Sequence, residues 1–410
     1  MDSSESSVAR SARLTRRVAN RSTNAVQHTQ EQADTVLFIC DDANVMVEDV
    51  TLEDAFVLES CVDVHLTYCC AATQTDSLSI DADNSPIAMI ESEDQPIQPQ
   101  MNTEVKPISQ PPVFSLFENY QDDCRAVNFY TGLANTNLFK TVFHSLGHAA
   151  FNLKYVNATP TLSVIDQFFL TLIKLKQYKT NYELSIMFKI SESEVYNIFV
   201  TWIRFMALQW REINIWPHRD VVSFFMPSDF KRKFPSTRVV IDGTECPVQK
   251  PTAPLAQQTT FSHYKNRNTA KVLVGVTPCG MVSYVSEAYG GSTSDRQIVE
   301  RSSLTSLCEP GDSIMADKGF SVQDIFAPLD VSINIPTFFK KKNKMSGASV
   351  LRDRKISSKR VHVERVIGLG KTYKILQNSI KHTEVILASD IIFVCFMLVN
   401  FRKCIVPTSA

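Results

Sequence analysis

One pattern constrains this chain more than any other, and it occurs twice: a short apolar run that stops on an aspartate, with a glycine close behind. In "RVVIDGTECPVQKP", residues 238–251, Val239, Val240 and Ile241 lead into Asp242 and Gly243. In "SIMADKGF", residues 313–320, Ile314, Met315 and Ala316 lead into Asp317, with Gly319 two residues on. Runs this short read as buried strands. On this pattern each strand ends at its aspartate, and Gly243 lets the chain turn as it leaves. An ionised carboxylate in such a place is costly unless a salt bridge, a helix N-cap or a metal ion compensates it. A single acid of this kind reads first as a cap or an ion-pair partner. Two at neighbouring strand ends repel each other, and a shared cation would offset that repulsion. Hard divalent ions such as Mg²⁺ prefer carboxylate oxygen and keep waters that a substrate can displace.

A third acid lies in "SSKRVHVERVIGLGKTYKIL", residues 357–376. Arg360, Glu364 and Lys371 are spaced by four and seven, which sets all three on one face of a helix. A solvent-facing charged stripe would explain that helix alone. The interleaved Val361, Val363, Val366, Ile367 and Leu369 leave little of it purely exposed. Its surroundings are strongly basic, with 13 Lys/Arg against Asp353 and Glu364 between residues 331 and 381. Residues 31–110 have the opposite balance, 17 Asp/Glu against Lys106 alone, and residues 111–410 carry 36 Lys/Arg against 24 Asp/Glu. The near-neutral total therefore hides a C-terminal part suited to a polyanion. Ten cysteines include no C-x2-C pair, so no zinc finger is indicated. No signal peptide is read, and reduced thiols of cytosol or nucleus are expected. The most apolar stretch, "IIFVCFMLV" from Ile391, is nine residues long, too short to span a bilayer, and no membrane association is expected.

The organisation follows from composition. Residues 1–112 read as a mostly disordered acidic and Pro-rich region, with six prolines between 86 and 112 forming a linker. Residues 113–235 read as helical. Within them, 160–206 hold three helices: "TLSVIDQFFLTLIKL", "NYELSIMF" and "ESEVYNIFVTWIRFM", the last opened by a Ser191/Glu194 capping box. A tight turn before the last helix is the helix-turn-helix outline. Glu192 and Glu194 in its first turn would repel phosphates, so DNA contact and a packing or dimerisation role both remain open. From 236 to 405 strands dominate: "RVVID", a hairpin of "KVLVGVT" and "VSYVSEA", then "SIMADKGF" and "SINIP". Helices fit 293–304, about 359–376 and 384–402. That order predicts a mixed α/β layer around a central sheet. The stretch "TTFSHYKNRNTAK" is a basic aromatic loop, whose Tyr264, Lys265 and Arg267 suit DNA as well as plain exposure, and His263 shares that ambiguity. His362 packs inward or faces solvent.

These motifs together resemble the endonuclease domain of PIF/Harbinger-type transposases, in the DDE superfamily. "IDGTECPVQKP" is similar to the first-Asp motif, "GGSTSDRQI" to the strand-to-helix passage, "MADKGF" to the second-Asp motif and "RVHVERVIGLGK" to the Glu motif. The stretch from "FYTGLANTNLF" to "VTWIRFM" resembles the helix-turn-helix that precedes it. Related bacterial enzymes carry Tyr three residues before the Arg of R-x3-E-x6-K, where this chain has Ser357. No zinc-coordinating module of the kind found at the N-terminus of many relatives is present.

The resemblance implies a ribonuclease-H-like mixed sheet with flanking helices. It implies catalytic and metal-holding roles for Asp242, Asp317 and Glu364, with two Mg²⁺ or Mn²⁺ ions and in-line attack on a phosphodiester. Lys371 would meet a DNA phosphate, and Arg360 would do likewise or orient Glu364; the basic run adds Lys340, Lys341, Lys342 and Lys344 as expected DNA contacts, and the basic aromatic loop adds Lys265 and Arg267. Asp295 is either an acid at a helix N-terminus or a supporting partner of the site. The implied partners are DNA, further copies of the chain assembled on it, and a separate DNA-binding protein; the implied location is the nucleus. A domesticated nuclear factor that binds DNA or protein without cutting is the alternative.

Overall fold

The computed structural model describes residues 115–157, 159–337 and 346–409. The region expected to be disordered, 1–112, lies outside them. Helices α1 (Cys124–Thr131) and α2 (Thr136–His144) lead into the helix-turn-helix block: α3 (Val164–Gln177), α4 (Asn181–Phe188) and α5 (Glu192–Arg211). Ser163 and Ser191 cap α3 and α5 as their hydroxyls accept from the backbone three residues on. The capping box expected at α5 is only half formed. Glu194 turns away and accepts from the backbone N–H and hydroxyl of Thr161, at 2.7 and 2.9 Å, fastening the start of the block instead. A reciprocal box forms at α4, between Thr180 and Glu183.

After α6 (Arg219–Phe225) and α7 (Ser228–Lys233) comes β1 (Thr237–Pro247), then α8 (Pro254–Thr260), β2 (Phe261–Ser262), β3 (Arg267–Val276), β4 (Val282–Val285), β5 (Tyr289–Gly290), α9 (Asp295–Arg301) and α10 (Leu304–Leu307). The chain continues through β6 (Ser313–Met315), α11 (Gln323–Phe326), β7 (Ser332–Asn334), α12 (Gly347–Gly370), α13 (His382–Val385) and α14 (Ala388–Asn400). Strand order is β2-β3-β1-β6-β7, with β4 and β5 both on β3. β1 pairs antiparallel with β3 and parallel with β6, and β6 pairs parallel with β7. This is the mixed sheet expected of a ribonuclease-H-like fold.

Two boundaries differ from the sequence reading in ways that matter. The strand carrying Asp242 does not end there: β1 runs on through Gly243 to Pro247, held by β3, so Asp242 sits in mid-strand. Gly243 makes no turn. The long helix begins at Gly347 rather than about 359, and it ends at Gly370, so Lys371 is the residue just beyond it.

Side chains alternate across the sheet and divide into two cores. Val240, Val274 and Met315 face one side, packed with Ile356, Val363 and Val366 of α12, with α14 and with the aromatic residues of α3 to α5. Val239, Ile241, Leu273 and Ile314 face the other, against Ile298 and Val299 of α9. The helix-turn-helix block thus shares a core with one face of the sheet. A buried ion pair joins them, Lys174 of α3 to Glu384 of α13 at 2.6 Å, both almost fully enclosed.

Candidate active site

Val240 and Met315 form the last rung between β1 and β6. Asp242 and Asp317 each stand two residues past that rung, on the alternation that puts Val240 and Met315 on the α12 side. β6 stops at Met315 while β1 continues, so β1 loses its neighbour on that flank just where the acids lie. Diverging strand ends of this kind open the crevice in which α/β sheets hold ligands.

α12 closes over this end of the sheet. Ile356, Val363 and Val366 are buried beneath it, which fixes the helix's rotation. Buried Lys359 adds an anchor, reaching Asp229 of α7 at 2.6 Å; Lys233 binds the same carboxylate at 2.6 Å. Lys233 and Lys359 hold the Asp229 carboxyl well below the usual carboxylate range. With the helix so fixed, Arg360 and Glu364 face the crevice. The Arg360 guanidinium serves both sides: Nη1 forms an ion pair with Asp317 Oδ1 at 2.7 Å, and Nη2 donates to Glu364 Oε1 at 2.6 Å. Glu364 and Asp317 therefore share one guanidinium.

Asp242 lies beside this group and is the least satisfied member. Burial, the largest cause, pushes its carboxyl up to about 6; Asp317 and Glu364 push the same way, while Arg360 and the Gly243 N–H pull it back. That N–H donates to Asp242 Oδ1 at 3.0 Å, and the Lys318 N–H donates to Asp317 Oδ1 at 2.7 Å.

Residues 241–400 match the family described as DDE superfamily endonuclease, and residues 160–211 match the helix-turn-helix of DDE superfamily endonuclease. The chain carries a DDE superfamily endonuclease domain preceded by its helix-turn-helix. That order is a transposase-like architecture. A comparison with curated proteins gives no match.

Within the endonuclease domain, Asp295 opens α9 as its first residue, the N-terminal acid of one sequence reading, and lies behind the site. It forms an ion pair with Lys271 of β3 at 3.0 Å. Its carboxylate presses against Gly243, where an added Cβ would come within 2.7 Å of Oδ1. So Gly243 is needed for close approach, not for a turn. Lys271 was not legible as a partner, because a β3 residue meeting α9 leaves no local signal. His362 packs inward, 4 % exposed, with neither ring nitrogen hydrogen-bonded. Burial, then Lys359 and Arg365, brings its pKa down to about 4.

The candidate DNA contacts separate in space. Lys371 lies near Cys246, farther along β1 from Asp242, and slightly offsets the burial that pushes that thiol up to about 12. Lys265 and Arg267 belong to the β2–β3 hairpin, with Tyr264 84 % exposed at its tip and the Lys265 ammonium 4.5 Å from the Tyr264 ring centre. Arg267 is seven residues along β3 from Val274, the partner of Asp242, hence roughly 20 Å from the acids. Lys340, Lys341, Lys342 and Lys344 lie outside the described residues. In the helix-turn-helix, α5 buries Val195, Ile198, Phe199, Trp202, Met206 and Trp210, and it packs against α14 as well as α3 and α4. Packing is thus one observed role of α5.

Among the described residues no cluster of three or more His, Cys, Asp or Glu stands in an arrangement ready to hold a metal ion. The donor set nevertheless suits a hard cation: Asp242, Asp317 and Glu364 offer only carboxylate oxygen, and Asp242 is under-neutralised with Arg360 in place. No helix among those residues is long and apolar enough to cross a membrane.

Proposed function

We propose that this chain is a metal-dependent DNA endonuclease of the transposase kind, cutting or joining phosphodiester bonds, with Asp242, Asp317 and Glu364 as its catalytic acids. One observation carries the reading: Arg360 of α12 pairs with both Asp317 and Glu364, and Asp242 stands beside them, two residues past the same rung of the parallel strand pair as Asp317. The acids would hold Mg²⁺ or Mn²⁺, whose chemistry is to polarise phosphodiester oxygens and lower the pKa of water. Arg360, freed from Asp317 or Glu364 as a cation takes its place, would orient the remaining acid or meet a backbone phosphate. Lys371 would fix a phosphate along the same helix face, and Lys265 and Arg267 would hold DNA beyond the crevice. The four motifs favour the PIF/Harbinger type. DNA, further copies assembled on it and a separate DNA-binding protein are the proposed partners, in the nucleus.

A second reading, a non-cutting DNA- or protein-binding factor, draws on the same arginine: Arg360 pairs with both Asp317 and Glu364. Incubation with supercoiled DNA and Mg²⁺ or Mn²⁺, with EDTA as control, separates the two. The nuclease reading expects nicking or linearisation that EDTA abolishes. It also expects Asp317→Asn to lose at least about 10²-fold in rate while DNA affinity holds or rises. Wild type and Asp317→Asn equally inert, with DNA bound by both, would hand the function to the binding factor.

A further inference from the structure

α12 ends in two glycines with opposite surroundings. A Cβ on Gly370 would lie 2.7 Å from Cε1 of the buried Phe396, so glycine there is required by packing against α14. A Cβ on Gly368 would meet nothing within 4 Å. Gly368 is helical and exposed, and it lacks the positive φ that only glycine adopts readily. Glycine is the poorest helix-interior residue after proline, so the fold itself would be served better by almost any other side chain. Nothing in the described structure asks for its absence.

Its position shows what would. Gly368 is four residues after Glu364 and three before Lys371, on the helix face they share. The long helix packs against β1 on the face that carries Asp242 and the buried Cys246 four residues along, and just past the helix end Ile380 bridges Val248 at the far end of that strand. The helix face and the strand therefore run side by side from the acids towards Lys371, and Gly368 lies midway along that track.

We infer that Gly368 is a clearance position for substrate, its missing side chain letting a DNA backbone lie against α12 between Glu364 and Lys371. The inference rests on the nuclease reading above. The ligand it fits is a phosphodiester chain, which runs from a carboxylate centre to a lysine along one open helix face. Gly368 acts by position, with no group of its own to offer.

Gly368→Ala and Gly368→Leu test this in the full chain, with thermal denaturation, duplex-oligonucleotide affinity in EDTA and cleavage in Mn²⁺ measured on each. The expected result is opposite movement of two readouts. Tm should rise by a few degrees in Gly368→Ala, because helix propensity improves and no neighbour is displaced. Cleavage should fall by at least about tenfold in Gly368→Ala and further in Gly368→Leu, as a backbone displaced by about 1 Å leaves the reacting geometry. Unchanged cleavage in both variants, with active wild type, overturns the clearance role and leaves the nuclease reading standing. A lower Tm together with lower activity overturns it too, by making Gly368 a packing residue. Wild type that neither binds nor cuts DNA removes the nuclease reading itself and the inference with it.

Discussion

Asp295 and Gly243 meet so closely that a single methyl group at position 243 would come within 2.7 Å of the Asp295 carboxylate. The contact locks α9 to the strand that carries Asp242, and Lys271 completes it from β3 at 3.0 Å. Gly243→Ala should therefore force Asp295 off Lys271 and destabilise the domain by roughly 1–2 kcal/mol, as overpacking does. Asp295→Ala in the same chain should recover part of that loss. Strictly additive effects in urea denaturation of the two single variants and the double would refute the lock.

The Asp242 carboxyl has a folded-state pKa of about 6, above its ordinary value of 3.8. The folded state thus binds this proton more tightly than the unfolded chain, and stability from this group grows as pH falls from about 6 to about 4. Above pH 6 the ionised carboxylate costs on the order of 3 kcal/mol in the metal-free protein. Asp242→Asn should be more stable than wild type at pH 7.5 in EDTA, with the difference gone near pH 4, and should be inactive on DNA. Equal denaturation midpoints at pH 7.5 would contradict the strain assigned to Asp242.

His362 acts in the opposite direction over an overlapping window. Its folded pKa is about 4 against 6.5 ordinarily, so the unfolded chain takes up the proton first. Its contribution is complete above pH 6.5 and is lost as pH falls towards 4, again on the order of 3 kcal/mol. His362→Leu should flatten the acid side of the stability curve, and Asp242→Asn should steepen it. A denaturation series between pH 4 and 7.5 on both variants checks the two signs together.

Lys174 and Glu384 form a buried pair at 2.6 Å, and burial lowers the lysine's pKa against the attraction of its partner. Removing one member leaves a buried charge unpaired. Glu384→Leu or Lys174→Met should each cost about 3–5 kcal/mol, while the double variant should recover much of it. Because the pair joins α3 to α13, both singles should lower one cooperative transition. A separate early transition for the helical block would show that the pair does not couple it to the sheet.

Arg360→Met removes the cation shared by Asp317 and Glu364. The metal-free protein should lose stability, and Mn²⁺ should raise Tm more in the variant than in wild type, since a ligand held only by the folded state stabilises it. Thermal scans with and without Mn²⁺ measure this. No Mn²⁺-dependent shift in either protein would remove the acids as a metal site.

The amino-acid sequence by itself determined much of this protein because much of it is local chemistry. Apolar runs before Asp242 and Asp317, the i, i+4 spacing of Arg360 and Glu364 and the Ser191 cap of α5 are all read within a few residues. The mixed sheet followed from the order of those elements. What only the tertiary structure decided depends on register and on which face an element buries. β1 continues past Asp242 because β3 supplies hydrogen-bond partners as far as Pro247, a fact no strand signals alone. Glu194 leaves its capping box because Thr161, 33 residues away, offers a better donor pair. Asp295 meets Gly243 across the sheet from Asp242, and Glu364 reaches the acids because Ile356, Val363 and Val366 set the rotation of α12. Pairing register and core packing are long-range choices, made when distant segments bury apolar surface together, and no window of neighbouring residues contains them.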